Sequence, residues 1–346
     1  MAGPVVVCEV GPRDGLQGRA APLPVAERIA LVDRLADAGL ARIEAVSFVR
    51  DDRVPAMAGA EAVLAGVRRP PGLELAGLVM NARGAERAAA CDLHEVRFVV
   101  VASEVFSMRN QGVGVDATLH AFGAVAAIAA RAGRRVSVVI AAAFGCPYEG
   151  PVPRSRVVEI AGRVARAGAD EVVLADTIGA AAPPEVEARV AAVHDAAGGR
   201  PVGVHLHNTR NTGYANAYAA LRAGATVFDA AIGGLGGCPF APRATGNVAT
   251  EDLVWLLEGC GVRPLPDLGR LIEVNAWLAD RLGEPLPGLL ARAGRFPSAA
   301  VPGMAGAAPT VPVPGTPASA GAASEGAPSA AAGDGSDHGA LPRAAR

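Results

Sequence analysis

The 346-residue sequence contains no lysine, because all 32 of its basic residues are arginine. Schiff-base aldolases, pyridoxal phosphate enzymes, biotinylated carriers and P-loop nucleotide-binding proteins all need a lysine amine, so these four classes are excluded. If the protein makes or breaks a carbon–carbon bond, a metal ion or a set of hydrogen-bond donors must stabilise the carbanion instead.

Other features typical of particular protein classes are also missing. The net charge of −2 is spread without a basic block, so nucleic acid is not expected as a partner. No apolar run reaches the roughly 18 residues that span a bilayer, and the N-terminus lacks the features of a signal peptide. We therefore expect a cytoplasmic protein that binds a small molecule and no membrane. Without CxxC spacing, five cysteines are expected as thiols: Cys8, Cys91, Cys146, Cys238 and Cys260.

Eight short runs of β-branched or apolar residues alternate with helical, Ala/Leu/Arg-rich stretches. Strands that alternate with helices predict a parallel sheet, and eight such units predict a closed (β/α)₈ TIM barrel. Two of the intervening stretches, 25–39 and 156–168, are amphipathic and end in glycine. The eight runs are 4–10, 42–48, 73–80, 95–102, 135–143, 170–176, 201–207 and 226–232.

The chain continues after the eighth unit. Residues 249–261 and 267–282 are predicted as additional C-terminal helices. From about Ser298 the composition changes to Ala, Gly, Pro and Ser, which cannot bury enough surface to offset the entropy of ordering. We therefore expect a barrel domain with its helices over 1–297 and a disordered, low-complexity tail over 298–346.

The stretch VGVHLHNTRN (202–211) places His205 and His207 one residue apart. Residues two apart in a strand point to the same face, so the two imidazoles form a usable pair of metal ligands. The alternative is two histidines on a half-exposed strand without a ligand, and the pair alone favours that alternative.

The position of other polar residues changes this balance. Catalytic groups of (β/α)₈ barrels lie at the carboxyl ends of the strands. Polar residues with purely structural roles would be scattered along the chain. The polar residues at the predicted strand ends instead converge on one rim of the barrel, which favours the two histidines as metal ligands. The set at the predicted strand ends consists of Glu9, Arg13, Asp14, Gln17, Glu44, Ser103, Glu104, Asp176, Thr177, His205 and His207, with the loop GGLGGCPFAPRATGN over 233–247.

Several members of this set also have a structural alternative. Glu9 and Glu44 are alternatively ion-pair partners of Arg13 inside the barrel mouth. Asp176 is alternatively the N-cap of a following turn, and Cys238 an inert thiol. Surface or packing roles are expected for the histidines in or beside helices, which are His94, His120 and His194.

The chemistry of the remaining residues indicates a metal centre. Asp14, His205, His207 and Asn247 would supply two oxygens and two nitrogens, a set that suits Mg²⁺ or Mn²⁺ better than structural zinc. Arg13 is a planar cation beside Asp14 and can clamp or polarise a substrate carbonyl.

These residues lie in stretches that closely resemble the 3-hydroxy-3-methylglutaryl-CoA (HMG-CoA) lyase family. That family belongs to a metal-dependent barrel group that includes the isopropylmalate and homocitrate synthases. The matching stretches, in order over residues 5–260, are VGPRDGLQ (10–17), RIEAVSFV (42–49), ASEVFS (102–107), GCPYEG (145–150), ADTIG (175–179), HLHNT (205–209), and GLGGCPFA followed by TGNVATEDL (234–253).

The resemblance implies a role for each matching residue. Arg13 is expected on the thioester carbonyl, with Gln17 as a substrate contact, and Glu44 and Asp176 as supporting catalytic residues. Cys238 is expected as a catalytic thiol, carried into the site by a glycine-rich lid. Metal ligation is implied for Asp14, His205, His207 and Asn247. A homodimer would be consistent with other family members.

The reaction implied is retro-Claisen cleavage of HMG-CoA to acetyl-CoA and acetoacetate, by default in leucine degradation. The residues leave open how acid and base roles divide among Cys238, His205 and Asp176. Alternatives are a lyase for a related 3-hydroxy-3-alkylglutaryl-CoA, a Claisen-condensing acyltransferase, and a non-catalytic metal-binding scaffold.

Two departures from the family pattern concern the substrate. Asn208 follows the second histidine, where the animal enzymes have aspartate. The family often places a lysine shortly after RDGLQ, where this chain has Arg19 and then Ala20. An arginine can replace a lysine as a phosphate partner of CoA.

Overall fold

The computed structural model describes residues 4–237 and 246–296. Its core is a closed barrel of eight parallel strands in sequence order, with β1 hydrogen-bonded to β8. All eight predicted runs form strands, so the predicted (β/α)₈ barrel is confirmed. The strands are β1 (Val6–Glu9), β2 (Arg42–Ser47), β3 (Glu74–Val79), β4 (Glu95–Val101), β5 (Arg135–Ala141), β6 (Glu171–Asp176), β7 (Val202–Leu206) and β8 (Val227–Ala230).

Helices lie between the strands and after the last of them. The helices after β8 confirm the prediction that further helices follow the barrel, whereas the predicted tail, 298–346, lies outside the described residues. The helices are α1 (Val25–Asp37), α2 (Ala60–Gly66), α3 (Ala82–Ala89), α4 (Glu104–Gln111), α5 (Val115–Arg131), α6 (Arg154–Arg166), α7 (Pro183–Ala196), α8 (Gly213–Arg222), α9 (Thr250–Gly259), α10 (Leu268–Leu282) and α11 (Leu290–Ala293).

The length and apolarity of the described helices bear on whether any of them could span a membrane. Among them, no single helix is long and apolar enough to cross a membrane. The pair α4 and α5, which is bent by 58°, meets both criteria when its two helices are taken together.

Ion pairs occupy the end of the barrel opposite the carboxyl ends of the strands. Arg42 donates to Glu171 at 2.7 Å, and its Nε lies 3.6 Å from Glu95. Arg97, fully buried in the barrel interior, lies 3.6 Å from the same Glu95. Because buried charges are tolerated where they are paired, these strands can carry charged residues that face inward.

The chain leaves β1 through one π-helical turn, Gly11–Gly15. The backbone amides of residues 13, 14 and 15 all donate to the carbonyl of Val10, at 3.2, 2.7 and 3.2 Å. A Cβ at Gly11 would lie 2.5 Å from a carboxylate oxygen of Glu9, so only glycine fits there. The turn therefore places two successive side chains, Arg13 and Asp14, at the mouth of the barrel.

Glu9 stabilises this turn from below. Its carboxylate accepts hydrogen bonds from the amides of Gly11 (2.7 Å) and Ile232 (2.9 Å) and from the Thr250 hydroxyl (2.6 Å). Burial raises the pKa of Glu9 to about 7, although these three hydrogen bonds act in the opposite direction. Glu9 thus joins the loops after β1 and β8 and does not pair with Arg13, contrary to the alternative raised above.

A Glu9→Gln variant is expected to flatten the pH dependence of stability. A carboxyl whose pKa is raised on folding keeps its proton in the native state up to about pH 7, whereas the unfolded chain releases it near 4.5. The native state then binds more protons, so the free energy of unfolding of the wild type falls between about pH 5 and pH 8. The contribution of Glu9 to that fall is about 3 kcal/mol at most.

Urea unfolding at pH 5, 6, 7 and 8 measures this effect. Glutamine can accept the two backbone amides through its carbonyl and donate to the Thr250 hydroxyl, so the fold is kept. The matched control is Glu187→Gln on the exposed face of α7, which should keep the wild-type slope. Equal slopes for Glu9→Gln and the wild type would refute the role given to Glu9.

Candidate metal centre and active site

Three potential metal ligands meet at the carboxyl ends of β7 and β1. Ligand atoms of Asp14, His205 and His207 all lie within 4.8 Å of one another. The two Nε2 atoms are 3.3 Å apart, and Nε2 of His205 lies 3.8 Å from Asp14 Oδ2. Because β7 ends at Leu206, both imidazoles face the barrel mouth, as the spacing of the pair requires.

Asn247 joins the cluster from the loop after β8. It pairs with His207 in an isolated antiparallel bridge, and its Nδ2 donates to Asp14 Oδ2 and to the Leu235 carbonyl, both at 2.9 Å. Its Oδ1 is buried and has no hydrogen-bond partner among the described residues. A Cβ at Gly236, where φ is +121°, would lie 2.5 Å from Asn247 Nδ2, so this loop needs glycine to pack against the cluster.

The donor set fits a divalent cation. Carboxylate, imidazole and amide donors without a thiolate suit Mg²⁺ or Mn²⁺. An orphaned buried acceptor such as Asn247 Oδ1 is costly unless something binds to it, and a metal ion would satisfy it. The four residues predicted as ligands thus lie together, and their donor atoms fit a divalent cation.

The surroundings of His207 and Asp14 favour the protonation states in which these two side chains can bind a metal. Burial, and then the neighbouring His205, lower the pKa of His207 to about 4, so this imidazole is neutral. Burial alone would raise the pKa of Asp14, but Arg13 and the two histidines lower it to about 2. Asp14 is therefore ionised at neutral pH. Burial is the largest single influence on the pKa of His205 and lowers it, but the hydrogen bond to Asp229 and the negative charges of Asp14 and Asp229 together give a net upward shift.

Asp229 and Arg97 lie directly behind the cluster. Asp229 Oδ2 lies 3.2 Å from Nδ1 of His205, and Arg97 donates to Asp229 from two nitrogens, each at 3.2 Å. Arg97 Nη1 also lies 3.4 Å from Glu44. Asp229 thus fixes which nitrogen of His205 carries the proton, and leaves Nε2 free to act as a ligand.

An Asp229→Asn variant is expected to weaken Mn²⁺ binding by about 10- to 100-fold, the usual cost of losing a hydrogen-bond partner of a metal ligand. The amide removes the negative charge that faces both His205 and Arg97. Isothermal titration calorimetry measures the Kd, and thermal unfolding checks the fold. Asp170→Asn, at the opposite end of the barrel beside the Val136 amide, is the matched control. An unchanged Kd would refute the role of Asp229.

Arg13 is held rigidly beside the cluster. Its Nε and Nη2 donate to the two carboxylate oxygens of Glu44 at 2.8 and 2.9 Å, and its Nη1 donates to Asp14 at 2.8 Å. A guanidinium has five N–H groups, so one on Nη1 and one on Nη2 remain for a ligand. Glu44 is fully buried and acts as the ion-pair partner of Arg13, the structural alternative stated above.

A cavity opens over these groups and has two different halves. Its polar half comes from β1, β6, β7, β8 and their loops, and its apolar half comes from β3, β4, β5, the end of β6 and α4. The polar half includes Gln17, whose Oε1 is buried without a partner among the described residues. The polar lining is Arg13, Asp14, Gln17, Thr177, His205, His207 and Asp229, and the opposite lining is Leu78, Met80, Val99, Phe106, Asn110, Val139, Ala141 and Ala175.

Of the two remaining predicted catalytic residues, the structure describes Asp176. Asp176 does not line the cavity; its carboxylate accepts the backbone amides of Ala180 (2.8 Å) and Ala181 (3.0 Å), as the capping alternative predicts. Burial raises its pKa, and these two amides oppose the shift. Cys238 lies outside the described residues.

The chain is similar to a known protein family and to several known proteins. The HMGL-like family model matches residues 4–278. The chain is 45% identical over 300 residues to the (R)-citramalyl-CoA lyase of Chloroflexus aurantiacus, covering 84% of this chain and 95% of that protein. It is 37% identical over 283 residues to the hydroxymethylglutaryl-CoA lyase YngG of Bacillus subtilis, covering 82% and 95%. A solved HMG-CoA lyase from Acinetobacter baumannii, in complex with coenzyme A and 3-methylmalate, superposes with a TM-score of 0.82 at 36% identity, covering 86% of this chain and 97% of that one.

Proposed function

The chain belongs to the HMGL-like family, and from that premise we propose that it is a metal-dependent lyase that cleaves a carbon–carbon bond of a 3-hydroxyacyl-CoA. The first candidate substrate is HMG-CoA, which would give acetyl-CoA and acetoacetate. The observation that carries this proposal is the cluster of Asp14, His205 and His207 beside Arg13 in one cavity. Because both relatives compared above are lyases by name, cleavage is favoured over condensation.

The metal would be held by Asp14, His205, His207 and Asn247. When bound, a Mg²⁺ or Mn²⁺ ion supplies Lewis acidity that lowers the pKa of an oxygen acid beside it. The protein contributes the orientation of the ligands: Asp229 sets His205, and the Nδ2 of Asn247 sets Asp14. The substrate's tertiary hydroxyl and free carboxylate would face this side of the cavity.

Arg13 would hold the thioester oxygen. When the C2–C3 bond breaks, negative charge develops on that oxygen as the acetyl-CoA enolate forms. Two N–H groups of Arg13, kept in place by Glu44, can donate to it in a site largely shielded from water. Because the guanidinium is already oriented, it need not reorganise as the charge develops.

We further propose that Cys238 exchanges a proton with the substrate, as the sequence resemblance implies. Among the described candidates, the Asp176 carboxylate is occupied by two backbone amides and His205 Nδ1 faces Asp229. These contacts leave Cys238 as the better candidate for proton transfer.

A Cys238→Ala variant is expected to keep Mn²⁺ binding but lose most turnover, with a fall in kcat of about 10²- to 10⁴-fold, the usual contribution of acid–base catalysis. Single-turnover assays and calorimetry measure the two quantities separately. Cys260→Ala, which removes an exposed thiol just after α9, is the matched control and should retain wild-type kcat. A near-normal kcat in Cys238→Ala would remove this thiol from the mechanism.

A second candidate substrate is (R)-citramalyl-CoA, favoured by the 45% identity to the Chloroflexus enzyme. This thioester carries its carboxylate directly on the hydroxyl-bearing carbon, one methylene closer than in HMG-CoA. Its cleavage would give acetyl-CoA and pyruvate. Parallel assays of the two thioesters, with the keto product identified, distinguish the candidates. Leucine degradation, a homodimer and a cytoplasmic location stay predictions of the sequence.

A further inference from the structure

We infer that the apolar half of the cavity binds the alkyl substituent on the hydroxyl-bearing carbon, and that residues 139 and 141 of β5 set its accepted length. This inference rests on the proposed function and specifies the substrate class further. The class is 3-hydroxyacyl-CoA thioesters that carry a carboxylate and a C3 alkyl group longer than methyl.

The polar and the apolar lining residues lie on opposite sides of the cavity. Arg13 and the candidate metal ligands that line the cavity, Asp14 and the two histidines, belong to β1, β7 and their loops. The lining from β3, the residue just after it, β4 and β5 consists of Leu78, Met80, Val99, Val139 and Ala141, and the one polar lining residue on this side, Asn110 of α4, is uncharged. A carboxylate placed against the aliphatic side chains would lose its hydration without a charged partner. The carboxylate must therefore stay on the metal side, and an alkyl group is left to face the apolar side.

The strand registers show how the apolar side of the cavity, called the aliphatic wall below, is built. Val139 and Ala141 are two residues apart on β5, so both face the cavity, at different depths. Val139 is paired with Val99 on β4 and with Val173 on β6, whereas Ala175, two residues further along β6, is paired with His205 on β7. The aliphatic wall thus continues along the strands to the neighbour of a candidate metal ligand.

Two residues of the aliphatic wall have small side chains. Ala141 and Ala175 contribute one methyl group each, yet they lie at the depth where β7 carries its two imidazoles. Val139 and Ala175 also belong to a small apolar cluster with Val173 and Val99. The small aliphatic side chains on this side of the cavity leave a recess that fits an alkyl chain.

The test is a chain-length profile measured with C3-methyl, ethyl, propyl and butyl homologues of HMG-CoA. For the wild type we expect kcat/KM to rise about fourfold per methylene until the recess is full, as expected for burial of one CH₂ group. A fall of tenfold or more at each added methylene would overturn the inference.

Two variants should shift this profile in opposite directions. Ala141→Leu fills the recess, so the ratio of kcat/KM for the propyl and butyl substrates to kcat/KM for the methyl substrate is expected to fall more than about tenfold. Val139→Ala deepens the recess, so the maximum should move to a longer chain. Identical profiles in both variants and the wild type would refute the assignment of these residues.

Val173→Ala is the matched control. It makes the same substitution as Val139→Ala, within the same apolar cluster, but at a residue that does not line the cavity. Thermal unfolding should show a loss of stability in both variants, and the chain-length profile should move in Val139→Ala alone. A shift of equal size in Val173→Ala would mean that loosened packing, and not the recess, sets the length.

The methyl substrate separates this inference from the proposed function. Cleavage of methyl substrates together with rejection of longer ones would overturn the inference and leave the lyase intact. Failure to cleave any member of the series, with metal bound, would overturn both.

Discussion

Replacing Arg13 with methionine is expected to lower kcat/KM by about 10²- to 10³-fold, the usual cost of removing a donor to a developing oxyanion. Methionine keeps much of the aliphatic volume but removes both free N–H groups. It also leaves the buried Glu44 with Arg97, at 3.4 Å, as its remaining guanidinium partner. We therefore expect some loss of stability, which thermal unfolding would report separately from the steady-state assay.

An Arg13→Lys variant distinguishes the effect of the positive charge from the effect of the hydrogen-bond geometry of the guanidinium. A lysine ammonium keeps the positive charge but cannot pair with both Glu44 oxygens and still present two N–H groups to a substrate. Its kcat/KM should fall at least about tenfold, with stability closer to that of the wild type. Arg163→Met, at an exposed ion pair on α6, controls for loss of an arginine elsewhere. Wild-type activity in either Arg13 variant would rule out carbonyl polarisation by this residue.

Replacing His207 with alanine is expected to raise the Kd for Mn²⁺ by more than about 100-fold, beyond the 10- to 100-fold that loss of an outer hydrogen-bond partner costs. Turnover at a fixed metal concentration should fall in parallel. His207 is neutral, because burial lowers its pKa to about 4, so its removal takes away a ligand and not a positive charge. The barrel should stay folded because the neighbouring strand pairs do not involve this side chain.

Calorimetry with Mn²⁺ and thermal unfolding without metal test this expectation. His194→Ala on the exterior helix α7 is the matched control and should leave the Kd unchanged. Activity in His207→Ala that returns at high metal concentration would support a ligand role. An unchanged Kd would show that the histidine pair does not bind the metal.

The fold could be predicted from the sequence because its signals are local. Each strand is a short apolar run, and many of the helices between them end near a glycine with positive φ, such as Gly39 and Gly133. Such periodicity depends on residues close in sequence, so eight units could be recognised without knowing how they pair. The spacing of His205 and His207 is likewise local, and it fixes a shared face as soon as the strand is recognised.

The residues missed by the sequence reasoning depend on distant contacts. Arg97 and Asp229 are 132 positions apart and meet only inside the closed barrel. Arg97 and Asp229 are charged residues within the apolar runs EVRFVVVA and TVFDAAI, and that anomaly was the available signal. Asp176 is the converse case, a residue predicted as catalytic because it lies at the end of a strand. Only the structure shows that its carboxylate is bound by backbone amides. The aliphatic wall had no sequence signal, since alanine and valine line strands throughout the barrel.

Incubation of the purified protein with Mn²⁺ and either HMG-CoA or (R)-citramalyl-CoA tests for metal-dependent cleavage of a 3-hydroxyacyl-CoA. Acetyl-CoA, acetoacetate and pyruvate are quantified with and without a chelator. We expect acetyl-CoA to form in equal amount with one keto product, to stop on chelation and to resume when Mn²⁺ is restored. No cleavage of either thioester by folded protein with Mn²⁺ bound would refute the proposed lyase activity.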